Sequence, residues 1–111
     1  MEITSRQIGD VTVLDMKGKI TIGVGDIRLR EAIAEALEGG ATNILLNLEG
    51  VSMVDSSGIG ELVSGYTTIT NRGGRLKLVN LPPTVNDTLQ ATQLISVFEV
   101  FDSEQEAVAS F

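Results

Sequence analysis

The densest chemistry in this sequence lies in one run, Val54-Asp55-Ser56-Ser57-Gly58-Ile59-Gly60. A carboxylate and two hydroxyls precede an apolar stripe of helical spacing. They therefore sit at a predicted helix start, where free backbone N–H groups and the positive end of the helix dipole converge. Two readings of that placement stand. Asp and Ser are preferred N-caps, and losing a cap costs about 1 kcal/mol, so capping alone accounts for them. The same position also favours an anion and can hold a phosphate. Gly58 and Gly60 in the first helical turn argue for more than capping. Each costs up to ~1 kcal/mol relative to alanine, which points to close backbone approach, or to a need for no side chain, at that place.

What the sequence lacks narrows the chemistry further. It has neither cysteine nor histidine. A Cys/His zinc site, a disulfide, a Ser-His-Asp triad and a Cys-His pair are all excluded. Gly23-Val24-Gly25 is a lone G-x-G without a Walker lysine or a full G-x-G-x-x-G, and is read as a turn rather than a nucleotide loop. Asp26 is placed as an N-cap rather than a metal ligand, because no carboxylates have calcium-loop spacing. No cofactor is expected. The formal charge of −7 opposes a phosphate backbone, so nucleic acid is not an expected partner. No apolar run approaches the ~20 residues of a membrane span. The start, Met1-Glu2-Ile3-Thr4, has no signal-peptide character, so the expected location is the cytoplasm, without direct membrane insertion.

The elements that must position the run follow from periodicity. The 111 residues suit one domain, 1–111, with an aliphatic core. Gly9-Asp10 reads as a turn between a weak strand, Ile3 to Ile8, and a stronger one in which Leu14, Met16 and Ile20 share a face. Leu29, Ala32, Ile33, Ala36 and Leu37 form a helical stripe, closed by Gly39-Gly40. Ile44 to Leu48 reads as a strand buried on both faces, joined by a short connection to the Asp55 run. The second helix carries Ile59, Leu62, Val63, Tyr66 and Ile69, and ends at Gly73-Gly74. Leu76 to Val79 is a strand. Pro82-Pro83 opens a short helix bearing Val85 and Leu89, and Val97 to Phe101 is a brief extended piece. Ser103 and Glu106 fit the capping box of a terminal helix. The alternation predicts a small α/β domain: a mixed β-sheet covered by about four helices. Leu14, Met16, Leu46, Leu48, Leu76 and Leu78 should line the sheet, against Ile33, Leu37, Leu62, Val63 and Leu89. Tyr66 and Phe98 are read as core, and Met53 and Val54 as packing beneath the Ser56 loop. Arg72 and Arg75 are placed on the surface.

The run Asn47-Leu48 to Val51, followed by Met53-Val54-Asp55-Ser56-Ser57-Gly58-Ile59-Gly60, resembles the signature of STAS domains, and specifically of bacterial anti-sigma-factor antagonists. Gly73-Gly74 before Leu76-Lys77-Leu78, then Leu81, Val97-Phe98 and the terminal helix, extend the resemblance over essentially the whole chain. It implies a mixed sheet packed by helices. It also implies that Ser56 is phosphorylated by a partner that is both serine kinase and anti-sigma factor, that the unmodified form binds that partner, and that a phosphatase resets the system. ATP belongs to the kinase. The implied partner surface comprises Asp55, Ser56, Ser57, Gly58, Ile59 and Gly60 with Thr21, Gly23, Gly25 and Asp26. The loop Gly18 to Asp26 departs from the Gly-Glu-Leu-Asp-like run of the best-known antagonists, which bears on the partner's identity and not on the fold.

Three function classes follow. The first is the phosphorylatable antagonist. The second is a STAS subunit acting as a constitutive protein-interaction module in a stress-signalling assembly or a lipid transporter. The third, a hydrolase using Ser56 or Ser57, lacks a histidine base and a G-x-S-x-G elbow and ranks far below the others. The retained Asp-Ser-Ser-Gly favours the first, a binding protein and not an enzyme.

Overall fold

A computed structural model describes residues 1–111. The elements run β1 (Glu2–Ile8), β2 (Val11–Ile20), α1 (Gly25–Glu38), β3 (Asn43–Val54), α2 (Ser56–Asn71), β4 (Arg75–Val79), α3 (Pro83–Ala91), a 3-10 turn (Leu94–Val97), β5 (Val100–Phe101) and α4 (Glu104–Ala109). The sheet order is β1-β2-β3-β4-β5. β1 pairs antiparallel with β2, and every later pairing is parallel. This is the mixed sheet with four helices expected from the alternation.

The register explains the core. Leu14, Leu46 and Leu78 lie side by side across β2, β3 and β4. They face a large cluster that also holds Met16, Leu48, Leu76, Leu29, Ile33, Leu62, Ile69, Val85 and Leu89. Three helices thus cover one face of the sheet. Leu37 and Val63 are half-buried at the margin of this cluster. The opposite face carries a smaller cluster, Val11, Val13, Leu45 and Val79, under Ala107 of α4. β3 is therefore buried on both faces from Ile44 to Leu46. Ser103 caps α4 by accepting the Glu106 N–H at 3.3 Å. Tyr66 meets Phe98 edge to face, with ring centroids 5.5 Å apart, and Phe98 is buried.

Several expectations need correction. β3 does not stop at Leu48; it continues to Val54, and Asp55 follows it directly. Glu49-Gly50 read as a connection because a polar residue and a glycine interrupt the apolar run. Instead, Lys17, Gly18, Lys19 and Ile20 of β2 pair with Gly50, Val51, Met53 and Val54 through two register shifts. Gly50 belongs there because a Cβ would lie 2.7 Å from the Met16 carbonyl oxygen. Met53 does not pack beneath the Ser56 loop: it is 49% exposed, whereas Val54 is buried. Of the segment Val97 to Phe101, Val97 closes the 3-10 turn Leu94–Val97, Phe98 is already extended, and strand pairing is confined to Val100–Phe101.

Candidate functional site

The site is built where β2 ends. Both α1 and α2 begin against the last two carbonyls of that strand, and each does so through a glycine. A Cβ on Gly25 would fall 2.0 Å from the Lys19 carbonyl oxygen, and one on Gly58 would fall 2.1 Å from the Ile20 carbonyl oxygen. No side chain fits at either contact, so helix start and strand end meet backbone to backbone. The close approach expected at Gly58 is present. Gly60 does not share it: nothing lies within 4 Å of where its Cβ would be. Helical periodicity carries Gly60 away from the strand, toward solvent.

Asp55 caps α2. Its Oδ1 accepts the Gly58 N–H at 2.9 Å. Its Oδ2 reaches in the other direction and accepts the Ile22 N–H at 3.0 Å. The backbone N–H of Asp55 donates to the Ile20 carbonyl at 3.3 Å. These donors, Gly58 first and Ile22 second, hold the Asp55 carboxyl below the ordinary carboxylate range, against a smaller opposing effect of burial. Ser56 follows as the first residue of α2 and is exposed; Ser57 is half-buried. The hydroxyl of Ser56 thus stands in solvent at the N-terminus of a 16-residue helix, where partial positive charge gathers.

Asp26 is not the N-cap expected of it. Val24 holds that position, and α1 starts at Gly25. The Asp26 carboxylate lies within the first turn, nearly buried, and folds back onto the loop. Its Oδ1 accepts the Gly23 N–H at 3.0 Å and the Ile27 N–H at 2.8 Å. The Asp26 N–H donates to the carbonyl of half-buried Thr21 at 3.1 Å. Gly23 takes a positive φ of 91°, a turn conformation that favours glycine. The structure therefore brings Thr21, Gly23, Gly25 and Asp26 to the same end of the fold as Asp55 to Gly60.

Sequence reasoning did not single out the apolar side chains of this end. Ile22 is 73% exposed, Val24 68% and Ile27 43%. An isolated apolar residue in a glycine-rich loop has no periodic partner, so pattern reading assigns it no face. On the flank, Arg30 of α1 and Glu61 of α2 pair, with one contact at 3.1 Å. No three His, Cys, Asp or Glu side chains converge as a metal site would require.

The fold and this end of it define a small α/β module that offers a hydroxyl at a helix start beside an exposed apolar loop. The sequence model of the STAS domain matches residues 2–107, and the chain belongs to that family. It is 25% identical over 99 residues to the anti-sigma F factor antagonist of Paenibacillus polymyxa, covering 88% of this chain and 84% of that one. Among solved structures, a candidate anti-sigma factor antagonist of Thermotoga maritima superposes with a TM-score of 0.89 at 25% identity, covering 97% of this chain and 92% of the other. The Bacillus cell fate determinant SpoIIAA in its phosphorylated form superposes with a TM-score of 0.74 at 25% identity, covering 98% of each chain. The first two of these are named as anti-sigma factor antagonists, the second as a candidate one. No helix is long and apolar enough to cross a membrane.

Proposed function

We propose that this protein is an anti-sigma-factor antagonist that binds an anti-sigma factor with serine-kinase activity, and that phosphorylation of Ser56 ends the interaction. The observation that carries this reading is the exposed Ser56 hydroxyl at the first position of α2, on the same end of the fold as exposed Ile22 and Val24. In this scheme the kinase supplies ATP and the catalytic groups, and a phosphatase restores the hydroxyl. This chain supplies the acceptor and the partner-binding end, Asp55 to Gly60 with Thr21, Gly23, Gly25 and Asp26; of these Gly25, Asp26, Gly58 and Ile59 are buried and shape the end from beneath, while the others are half-buried or exposed. It acts by binding in the cytoplasm and is not an enzyme in this scheme; without a Walker lysine or a histidine base the purified chain should not turn over ATP or GTP.

The physical logic is a competition of two effects. A phosphate on Ser56 adds about −1.5 to −2 charges beside Asp55. The helix N-terminus stabilises that charge by about 0.3–1 kcal/mol at an exposed site. A partner packed over the site must desolvate the dianion, which costs several kcal/mol unless the charge is paired. The second effect is larger, so the fold persists and affinity falls.

The test is incubation of the wild type, Ser56→Ala, Ser56→Asp and Ser57→Ala with the cognate anti-sigma kinase and ATP, followed by mapping of the modified residue and measurement of binding. Ser56→Ala should bind and resist modification, Ser56→Asp should bind less well, and Ser57→Ala should still be modified at Ser56. Phosphate on Ser57 alone, or undiminished binding by the phosphorylated form, would sink the reading. Ser56 found unmodified in protein isolated from the native cell would favour a constitutive interaction module instead.

A further inference from the structure

Asp55 does more than cap a helix. A cap needs one oxygen, and Oδ1 fills that role at Gly58. The second oxygen spans 33 positions of sequence to the N–H of Ile22. The next N–H along the loop, that of Gly23, is held by Asp26 from the other helix. Two successive loop amides are therefore fixed by carboxylates from two helices. With the backbone turned inward to these acceptors, the side chains of Ile22 and Val24 are left in solvent.

We propose that Asp55 is a positioning residue that couples the state of Ser56 to the loop Thr21 to Val24. While Ser56 carries a hydroxyl, Asp55 holds the Ile22 amide and presents Ile22 and Val24; when Ser56 carries a phosphate, Asp55 releases that amide and the presentation is lost. The two groups are adjacent in the chain, at the cap and first residue of α2. A phosphate brings three acceptor oxygens into a helix turn whose Gly58 N–H is already committed to Asp55. The Asp55 carboxyl is held in its ionised form by its donors, so both groups are negative at neutral pH and repel. The bond to Ile22 is the solvent-exposed one of the pair and the bond to Gly58 is half-buried. The exposed bond competes with water already and yields at least cost. On the two faces of one residue, the modification site and the apolar loop are thus joined by a single side chain. Both Gly25 and Gly58 lock their helices to the end of β2, so the loop is the part free to respond.

The structural claim stands apart from the identity of the partner, and its consequence for affinity rests on the reading of Ser56 given above. Phosphoserine installed at position 56 during synthesis removes the need for a kinase. Amide spectra and hydrogen exchange are then compared for the unmodified and phosphoserine forms of the wild type, Asp55→Asn and Asp55→Ala. In the wild type, phosphoserine should shift the Ile22 and Gly23 amide resonances and speed Ile22 exchange about tenfold, within the usual range of coupling between sites. Asp55→Ala should produce the same change without phosphate, and phosphoserine should then add nothing at Ile22. Asp55→Asn keeps one side-chain oxygen and should fall between the two. Unchanged protection at Leu62 in α2 verifies the fold; if Asp55→Ala unfolds, Asp55→Asn and the wild-type pair decide. Ile22 exchange indifferent to phosphoserine, or wild-type Ile22 exchange in a folded Asp55→Ala, overturns the coupling. Binding of the anti-sigma kinase forms a separate arm: unmodified Asp55→Ala should bind about tenfold more weakly than wild type. A kinase that ignores phosphoserine at position 56 refutes the partner reading, while the amide data still judge the coupling.

Discussion

Replacing Gly58 by alanine adds one methyl group at the contact between α2 and the end of β2. The new Cβ would lie 2.1 Å from the Ile20 carbonyl oxygen, and 2.9 Å from both Ile20 Cγ2 and Val54 Cγ1. The first neighbour is backbone and cannot rotate away, so α2 must move by about an ångström. Overpacking of a close contact costs about 1–3 kcal/mol, occasionally more. Alanine returns roughly 0.5–1 kcal/mol as the better helix former. The net expectation is a destabilisation of about 0–2.5 kcal/mol. Gly60, two residues on, provides the control. Nothing lies within 4 Å of its Cβ position, so Gly60→Ala should stabilise by about 0.5–1 kcal/mol through the helix alone. For a chain of this length 1 kcal/mol moves the thermal midpoint by about 4 °C. The two variants should therefore straddle the wild type, separated by about 4–12 °C in calorimetry. Midpoints that move in the same direction would refute the steric account of Gly58.

Leu62 is fully buried in α2, and Leu62→Ala should cost about 2–5 kcal/mol in urea unfolding, through lost transfer energy and the cavity left behind. Stability should also fall in acid. Asp55, held low by Gly58 and Ile22, and Asp15, held low chiefly by Arg6, both have folded-state values below the ordinary 3.8. Their unfolded forms bind protons first, so their contribution is complete above the ordinary aspartate value and is lost as pH drops through the lowered one. A pH series of urea midpoints should show this loss below about pH 4, and Asp55→Asn should flatten it.

The parts of the fold legible in the sequence are those with a clear period. The α1 and α2 stripes and the row Leu14, Leu46 and Leu78 rest on regular spacing read over many residues, and the capping of α4 by Ser103 rests on a four-residue motif with its own side-chain geometry. β1 was a weaker reading because only Ile3 and Ile8 are even half-buried along this edge strand. The end of β3 was missed because its inward residues, Leu48, Val51 and Val54, are spaced by three and match no strand period. Asp26 reads as a cap because it is a carboxylate before an apolar stripe, and only the loop's three-dimensional path shows that α1 starts one residue earlier and that the carboxylate also reaches back to the Gly23 N–H. Of the site, the residue types of the Asp55 run were visible from the outset. The reach of Asp55 to Ile22 was not, since a contact to a backbone amide carries no trace of its partner's identity. Gly65 shows the same limit: it sits against Ile33 Cδ1, 2.6 Å from where a Cβ would be, yet in the sequence it is only a glycine inside a helix.

The two register shifts between β2 and β3 act as a count. Between Asp15–Asn47 and Ile20–Val54, β3 spends two more residues than β2 over the same length of ladder. One extra residue reverses which side chains face inward, and a second restores the original phase, so Val54 faces the core again as Leu48 does. The azimuth at which α2 leaves the sheet, and with it the bearing of Ser56, is therefore set by an even number. Losing one residue from the stretch between Leu48 and Val54 would turn Val54 outward and aim the helix start at the wrong side of the sheet. Losing two would keep the phase and remove only the extra coiling, so length variation here should come in pairs.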